Sequence, residues 1–240
     1  MAIVRIEQTG GMLPVWETLR WYPAAALYAD GRLITQGPID AVYPGPALPN
    51  LVVTHISQAG VAQVLDWAAE AGLAGEDRQI GQAGFDSSVT VFTVKSAEGT
   101  HTTTVGDVTA GDPEAGALNE FVSVMSDVHN YLPNDIASDE TAYIYDRMRV
   151  ISFPMEAANL PDQGLATEVD WPLEPLASLG TSYGEPAEYR CSLIEGEDLE
   201  TLQPMLQPAN ELTLWLSDDV TYQVYAHPLL PDDEPCPGFP

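Results

Sequence analysis

The chain is short of positive charge. Its 240 residues hold eight Lys and Arg against 36 Asp and Glu, Lys95 is the sole lysine, and the formal net charge is −28. Binding to nucleic acid rests on Lys and Arg displacing counterions from phosphates, so this composition argues against a nucleic-acid partner. The same excess is repelled by anionic lipid surfaces. Long apolar runs are missing too. No stretch approaches the ~20 residues that cross a bilayer as a helix, so no membrane span is expected. Cysteine is scarce: Cys191 and Cys236 stand too far apart for a C-x-x-C redox or zinc motif. Histidine is limited to His55, His101, His129 and His227, with no H-E-x-x-H pattern and no i, i+4 pair, so no metal centre is expected. There is no Gly-Lys-Ser/Thr phosphate loop and no dinucleotide fingerprint, so no cofactor is expected either.

What is present is a foldable and turn-rich chain. The hydrophobic fraction is 45%, enough for a core, and 19 Gly and 20 Pro punctuate it. Acids recur along the whole length and peak locally in the closing "PDDEPCPGFP". The expected reading is a solvated surface, with weakly held divalent cations as the alternative. Cys191 and Cys236 are expected to form one structural disulfide; two free buried thiols are the competing reading. A bridge would tie the Pro-rich tail to the strand around Cys191 and close a loop of about 45 residues, worth on the order of 4 kcal/mol in the chain-entropy model. A disulfide argues for an oxidising compartment. The opening "MAIVRIEQTGG" has no signal-peptide character. The expectation is an extracellular or cell-envelope protein in mature form, without its leader.

The pattern along the chain predicts α+β. "AIVRIEQ" alternates, with Val4 and Ile6 on one face, and stops at Gly10-Gly11. "ALYADGRLITQG" is a hairpin, with Asp30-Gly31 suited to a type I′ turn. "VYPGPALPN" is a proline loop feeding the strand "LVVTHI". A first helix, capped by Ser57, carries the stripe Val61, Val64, Leu65, Ala68 and Leu73, with Gly72 near its stop. Strands "SVTVFTVKS" and "HTTTVGD" follow. A second helix starts at Asp112-Pro113-Glu114, presents Leu118, Phe121, Val122, Met125, Val128 and Leu132, and ends at Pro133. The first domain is therefore expected over 1–133. The remainder, 134–240, is expected as a smaller strand–helix–hairpin domain closed by the Cys191–Cys236 bridge. Its long strand is "TAYIYDRMRVISF", and a short helix strained or broken at Pro204 follows "EYRCSLIEG". A hairpin turns at Ser217-Asp218-Asp219. The sheets are expected to be antiparallel, with two amphipathic helices in the first half.

Three stretches bear on function. "GTSYG" fits the G-x-S-x-G nucleophile pattern with Ser182 at its centre, and Asp218 or Asp219 and then His227 follow in triad order. Its flanks lack the buried strand before and the helix after that such an elbow needs, so a Gly-rich turn is the expected reading. A hydrolase using Ser182 is the competing enzyme class. "GTHTTTVG" places Thr102 and Thr104 on one face, expected as a solvent-facing strand and alternatively as a hydroxyl row for a ligand. His55 and His101 lie on expected strands that could bring them together. "GGMLPVWETLRWYP" is glycine-hinged and apolar, a candidate contact loop on a very acidic protein. Gly10, Gly11, Met12, Trp16 and Trp21 are the binding residues it offers; the competing reading folds it over the sheet as core.

Two resemblances complete the reading. "LYADGRLI", "YPGPALPNL", "AGVAQVLDWAAEAGL", "VTVFTV…GTHTTTV" and "HPLLPDDEPC" resemble a group of uncharacterised exported proteins of high-GC Gram-positive bacteria, which implies export and no particular activity. Residues 3 to about 130, with "IVRIEQTGG", a helix, "VTVFTV…GTHTTTVGD" and a final helix, are similar in order to emfourin-type inhibitors of thermolysin-like metalloproteases. The insertion "YADGRLITQGPIDAVYPGPALPN" and the second half depart from that family, so no inhibitory residue carries over. The resemblance implies a shared fold for the first half more than a shared activity. The expected function is a non-enzymatic, exported, acidic binding protein with a protein partner, a protease to be inhibited being one candidate. A cation-dependent envelope or surface-layer component is a further alternative.

Overall fold

A computed structural model describes the chain except residues 13–20, 40, 83, 85, 98, 110–111, 134, 156–165, 184–188 and 238–240. The chain forms two compact units. One contains Met1–Gly37 and Asn50–Tyr143, the other Pro38–Pro49 and Ile144–Pro240. The cut thus falls after Tyr143, and the proline loop of the expected first half groups with the second unit.

The first unit carries strands β1 (Ala2–Gly10), β2 (Ala25–Tyr28), β3 (Arg32–Gln36), β4 (Leu51–His55), β5 (Arg78–Ile80), β6 (Ser88–Ser96), β7 (Gly99–Val105) and β8 (Thr141–Ala142). They form one sheet in the order β5-β7-β6-β1-β2-β3-β4-β8. Every neighbouring pair is antiparallel except β5 and β7, so the sheet is mixed, not antiparallel throughout as the sequence suggests. A strand as short as β5 reads as loop in the sequence, and its direction is set by the chain's return from the first helix.

Helices α1 (Gln58–Glu70) and α2 (Pro113–Ser126) line one face of that sheet. Each begins where a side chain satisfies otherwise orphaned amides. The Ser57 hydroxyl accepts from Gly60 N at 3.3 Å, and the Asp112 carboxylate accepts from Glu114 N at 2.9 Å and Ala115 N at 3.1 Å. α1 ends in a Schellman motif: Leu73 N donates to Ala68 O at 2.8 Å and Gly72 N to Ala69 O at 2.9 Å, with Gly72 at φ +76°. Val4, Ile6, Leu27 and Phe92 from the sheet meet Val61, Val64, Leu118, Phe121 and Met125 from the helices. Each such fully buried side chain stabilises by roughly 1.5–3 kcal/mol relative to exposure.

Two local expectations are corrected here. The second helix stops at Ser126 rather than at Pro133; a 3-10 turn over Val128–Asn130 carries the chain onward, still burying Val128 and Leu132. Asp127 leaves helical geometry (φ −146°, ψ 69°), and its carboxylate takes a hydrogen bond from the Asn130 amide, a local bond that competes with the helix. The Asp30-Gly31 turn is not type I′. Gly31 has φ +89° but Asp30 does not have positive φ, and Leu27 pairs with Leu33 around a longer loop. Gly31 is required because a Cβ there would lie 2.1 Å from Ile56 O.

The second unit has β9 (Arg147–Pro154), β10 (Glu168–Asp170), β11 (Thr181–Ser182), β12 (Arg190–Glu195), β13 (Leu214–Ser217) and β14 (Val220–Pro228), in the order β10-β13-β14-β9-β12-β11. β10 and β13 run parallel, so this sheet is mixed as well. The expected long strand "TAYIYDRMRVISF" is two strands: Thr141 and Ala142 edge the first sheet, and Arg147–Pro154 is a central strand of the second. Helix α3 (Gly196–Leu206) covers one face through Leu199, Leu202 and Leu206, against Met148, Val150, Ile194, Trp215 and Val224. It continues past Pro204 without breaking, two residues short of its end, where Leu206 is buried. Trp171 and Trp215 pack edge to face at 5.5 Å. A type I′ turn is formed instead by Asp218-Asp219, at φ 51° and 62°, between β13 and β14.

The segment Pro38–Pro49 is held within the second unit. Gly45 N donates to the Glu211 carboxylate at 3.0 Å, Glu211 N to Gly45 O at 2.9 Å, and Ala47 N to Ala209 O at 3.0 Å. Ala47 and Leu48 pack on the second core. The α+β class is therefore observed, with two helices in the first unit and one in the second among the described residues.

Candidate functional site

The loop singled out from the sequence starts where β1 runs out of partners. Gly10, the last residue of β1, pairs with Ser88. Gly10 and Gly11 adopt φ +79° and +89°, a left-handed exit that L side chains rarely take. A Cβ on Gly10 would also approach Ser87 O to 3.3 Å. Met12 follows, 73% exposed. Trp16 lies outside the described residues. Trp21 is partly exposed, Tyr22 is buried, and Ala24 N rejoins the sheet through Ile6 O at 2.8 Å. Because β1 and β2 are antiparallel neighbours, Gly10–Met12 leave and Trp21 returns at the same end of the sheet.

The Ser182 constellation is dispersed. Ser182 sits exposed on edge strand β11, opposite Arg190. Following the registers, Ser182, Arg190, Ser152 and Val224 share one face of the sheet, whereas His227 shares the other with Arg149 and Leu193. Three strand spacings, ~14 Å, separate β11 from β14. Asp218 and Asp219 turn the chain at the opposite end of β14 from His227. The glycine pattern has a packing cause: a Cβ on Gly180 (φ +68°) would lie 2.1 Å from Cys191 O. Arg190 then fixes the turn, its guanidinium donating to the carbonyls of Ser178, Leu179 and Gly180.

Other sequence candidates separate in the same way. His55 is on β4 and His101 on β7, with β6, β1, β2 and β3 between them, so the two do not meet. Thr102 and Thr104 share the face away from the helices, while Thr103 is buried beside Phe92 on the core side. Among the described residues no group of three His, Cys, Asp or Glu is placed to hold a metal ion, and no helix is long and apolar enough to cross a membrane.

A second constellation emerges only from the fold. Arg149 and His227 are cross-strand partners on the second sheet's face away from α3, and they are only 7% and 5% exposed. Asp233 Oδ2 stands 4.0 Å from His227 Nε2 and accepts from Leu230 N at 2.9 Å. Arg147, two residues before Arg149 on the same face, donates to Leu230 O and Pro231 O at 3.3 Å. Burial pushes the Tyr183 hydroxyl up, and the nearby Arg149 charge works against that rise. The acidic tail therefore lies against a row of bases in a chain that has few. The bridge Cys191–Cys236 anchors its far end, with Cα atoms 6.0 Å apart. The sequence placed Arg147, Arg149 and His227 on strands, but only strand order and register put them side by side.

No protein-family model, no curated protein and no solved structure matches the chain.

Proposed function

We propose that this chain is an exported, acidic, non-enzymatic binding module that recognises another protein through the β1–β2 loop. The observation that supports this reading most is Met12: a large apolar side chain, 73% exposed, on a two-glycine turn at the end of a strand paired on both sides. Binding residues concentrate on loops held by a rigid scaffold, and an exposed apolar side chain there offers area that a partner can cover. Gly10 and Gly11 aim the loop, and Met12 and Trp21 supply contact area; Trp16, in the same sequence stretch, lies outside the described residues. Export is proposed from the Cys191–Cys236 bridge, since disulfides persist in oxidising compartments. The partner class is proposed from the sequence resemblance of residues 3 to about 130 to emfourin-type inhibitors: a thermolysin-like metalloprotease.

The test is inhibition. Increasing amounts of the chain are added to a thermolysin-like protease, beside a Met12→Asp variant. Stoichiometric loss of protease activity that Met12→Asp weakens at least about tenfold supports the reading, the size expected for a central interface anchor. Inhibition that ignores Met12→Asp moves the contact elsewhere. If the protease is unaffected, a pull-down from the culture medium and envelope extract of the source, with and without calcium, decides whether any protein partner exists; none in either condition sinks the binding module.

A further inference from the structure

We infer that residues 10–12, 86–88 and 106–108 form one contact surface, and that it fits a protein whose docking face sets lysine and arginine around an apolar depression. The inference rests on the reading of the β1–β2 loop given above and adds two further segments and the chemistry of the partner. β1 ends, β6 begins and β7 ends at the same edge of the first sheet. Gly10 pairs with Ser88, and the β6–β7 register, continued by two places, sets Ser88 beside Asp107. Gly10 and Asp107 are therefore two strand spacings apart, ~10 Å. Met12 and Val108, which follow them, fall within the ~800 Å² that one partner covers in a standard interface. The segments are held in place by their own bonds. Ser87 Oγ donates to Asp107 Oδ2 at 2.7 Å, Asp107 N donates to Gln82 O at 2.8 Å, and Gln82 N donates to Asp107 O at 3.3 Å. The approach is close enough that a Cβ on Gly81 would lie 2.2 Å from Asp107 O.

The surface combines apolar side chains with carboxylates. Met12 is 73% and Val108 37% exposed, and Asp86 and Asp107 are exposed as well. None of residues 8–12, 80–88 or 105–109 is Lys, Arg or His. A second copy of the chain would set these carboxylates against themselves, and like charges face to face oppose association. Nucleic acid and anionic lipid are repelled for the same reason. A protein with a cationic rim satisfies both features. Its rim pairs with Asp86 and Asp107 and steers the encounter, while an apolar depression inside the rim takes Met12 and Val108. Ser87 is a positioning residue: its hydroxyl fixes one oxygen of the Asp107 carboxylate, and the other is the one a partner's cation would take.

The test needs no natural partner. An amphipathic leucine–lysine peptide and its leucine–glutamate counterpart are titrated into the full chain, and amide shifts are followed by NMR. The lysine peptide is expected to shift residues 10–12, 86–88 and 106–108 together, with a single saturating curve. The glutamate peptide is expected to shift none of them. Asp86→Lys and Val108→Asp are each expected to weaken the lysine peptide at least about tenfold, with amides elsewhere unmoved, as loss of a central anchor or its charge partner does. Raising the salt from about 0.05 to about 0.5 M is expected to weaken it as well, because exposed charges are screened. Shifts scattered over the whole acidic surface overturn the inference, as does the absence of shifts, equal binding of the glutamate peptide or indifference to both variants. Shifts confined to residues 10–12 overturn the three-segment surface and leave the β1–β2 loop reading standing. That reading fails separately, when neither a protease nor any other protein is bound in the inhibition and pull-down experiments above.

Discussion

Gly45 and Glu211 clasp each other through both of their backbones and one side chain. Gly45 N donates to the Glu211 carboxylate at 3.0 Å while Glu211 N donates to Gly45 O at 2.9 Å. This clasp fastens Pro38–Pro49, the excursion of the chain between β3 and β4, into the second unit. Glu211→Ala removes the charged acceptor and is expected to lower stability by about 1–2 kcal/mol, read as a lower denaturation midpoint. Gly45→Ala is expected to be near neutral, because its Cβ would meet the Glu211 carboxylate at 3.7–3.9 Å, ordinary contact distance.

Gly31 is expected to behave in the opposite way. Its φ is +89°, and an alanine Cβ there would lie 2.1 Å from Ile56 O, so a methyl group has no room. Gly31→Ala is expected to cost about 2 kcal/mol or more, combining left-handed strain with displacement of the β4 end. A denaturant titration checks it, and a loss no larger than that of Gly45→Ala would contradict this account of the turn.

The Asp218-Asp219 turn is suboptimal. Both residues hold positive φ, a conformation that glycine adopts freely at the second position of a type I′ turn. Asp219→Gly is expected to stabilise the second unit by up to about 1 kcal/mol, through relief of left-handed strain and of repulsion between adjacent acids. Thermal unfolding of the variant beside the parent measures it; a lower midpoint refutes it.

Alkaline pH should weaken the second unit. Burial pushes the Tyr145, Tyr183 and Tyr222 hydroxyls above their ordinary value, opposed by a Gln203 hydrogen bond, by Arg149 and by Arg190 respectively; Asp218 adds to the rise at Tyr222. A phenol whose midpoint rises on folding contributes stability that is whole below the unfolded midpoint, about pH 10, and is lost as pH climbs from there through the folded midpoint. Tyrosinate absorbance is expected to show a late phase that coincides with loss of near-UV circular dichroism. Titration of every tyrosine at the unfolded midpoint would contradict it.

At the acid end, Asp30 provides a surface check. Its slight burial works to raise its carboxyl, but the Arg32 amide and guanidinium outweigh that and hold it below the ordinary range. The small contribution it makes is present above the unfolded midpoint and is lost as pH falls through the folded one. The stability difference between the parent and Asp30→Asn is expected to shrink over that window, and NMR titration of Asp30 reads the midpoint directly.

What the sequence by itself determined is what lies within a few residues along the chain. Ser57 and Asp112 start helices because their side chains reach amides two or three positions ahead, and Gly72 ends one because left-handed geometry suits it. The alternation of Val4 and Ile6 marks a half-buried strand, and the α+β class follows from such elements. The β13–β14 hairpin was legible for the same reason. What only the tertiary structure decided depends on residues far apart. Whether β5 pairs parallel, whether "TAYIYDRMRVISF" divides between two sheets and whether Pro38–Pro49 joins the second unit are settled by the closure of long loops around two cores. The candidate sites divide along the same line. Gly10, Gly11 and Met12 were legible as a glycine-hinged apolar loop, since a turn is local. The separation of Ser182 from His227, and the meeting of His227 with Arg149 beneath Asp233, were not. Chain order says nothing of face, and a single residue of register moves a side chain to the other side of a sheet.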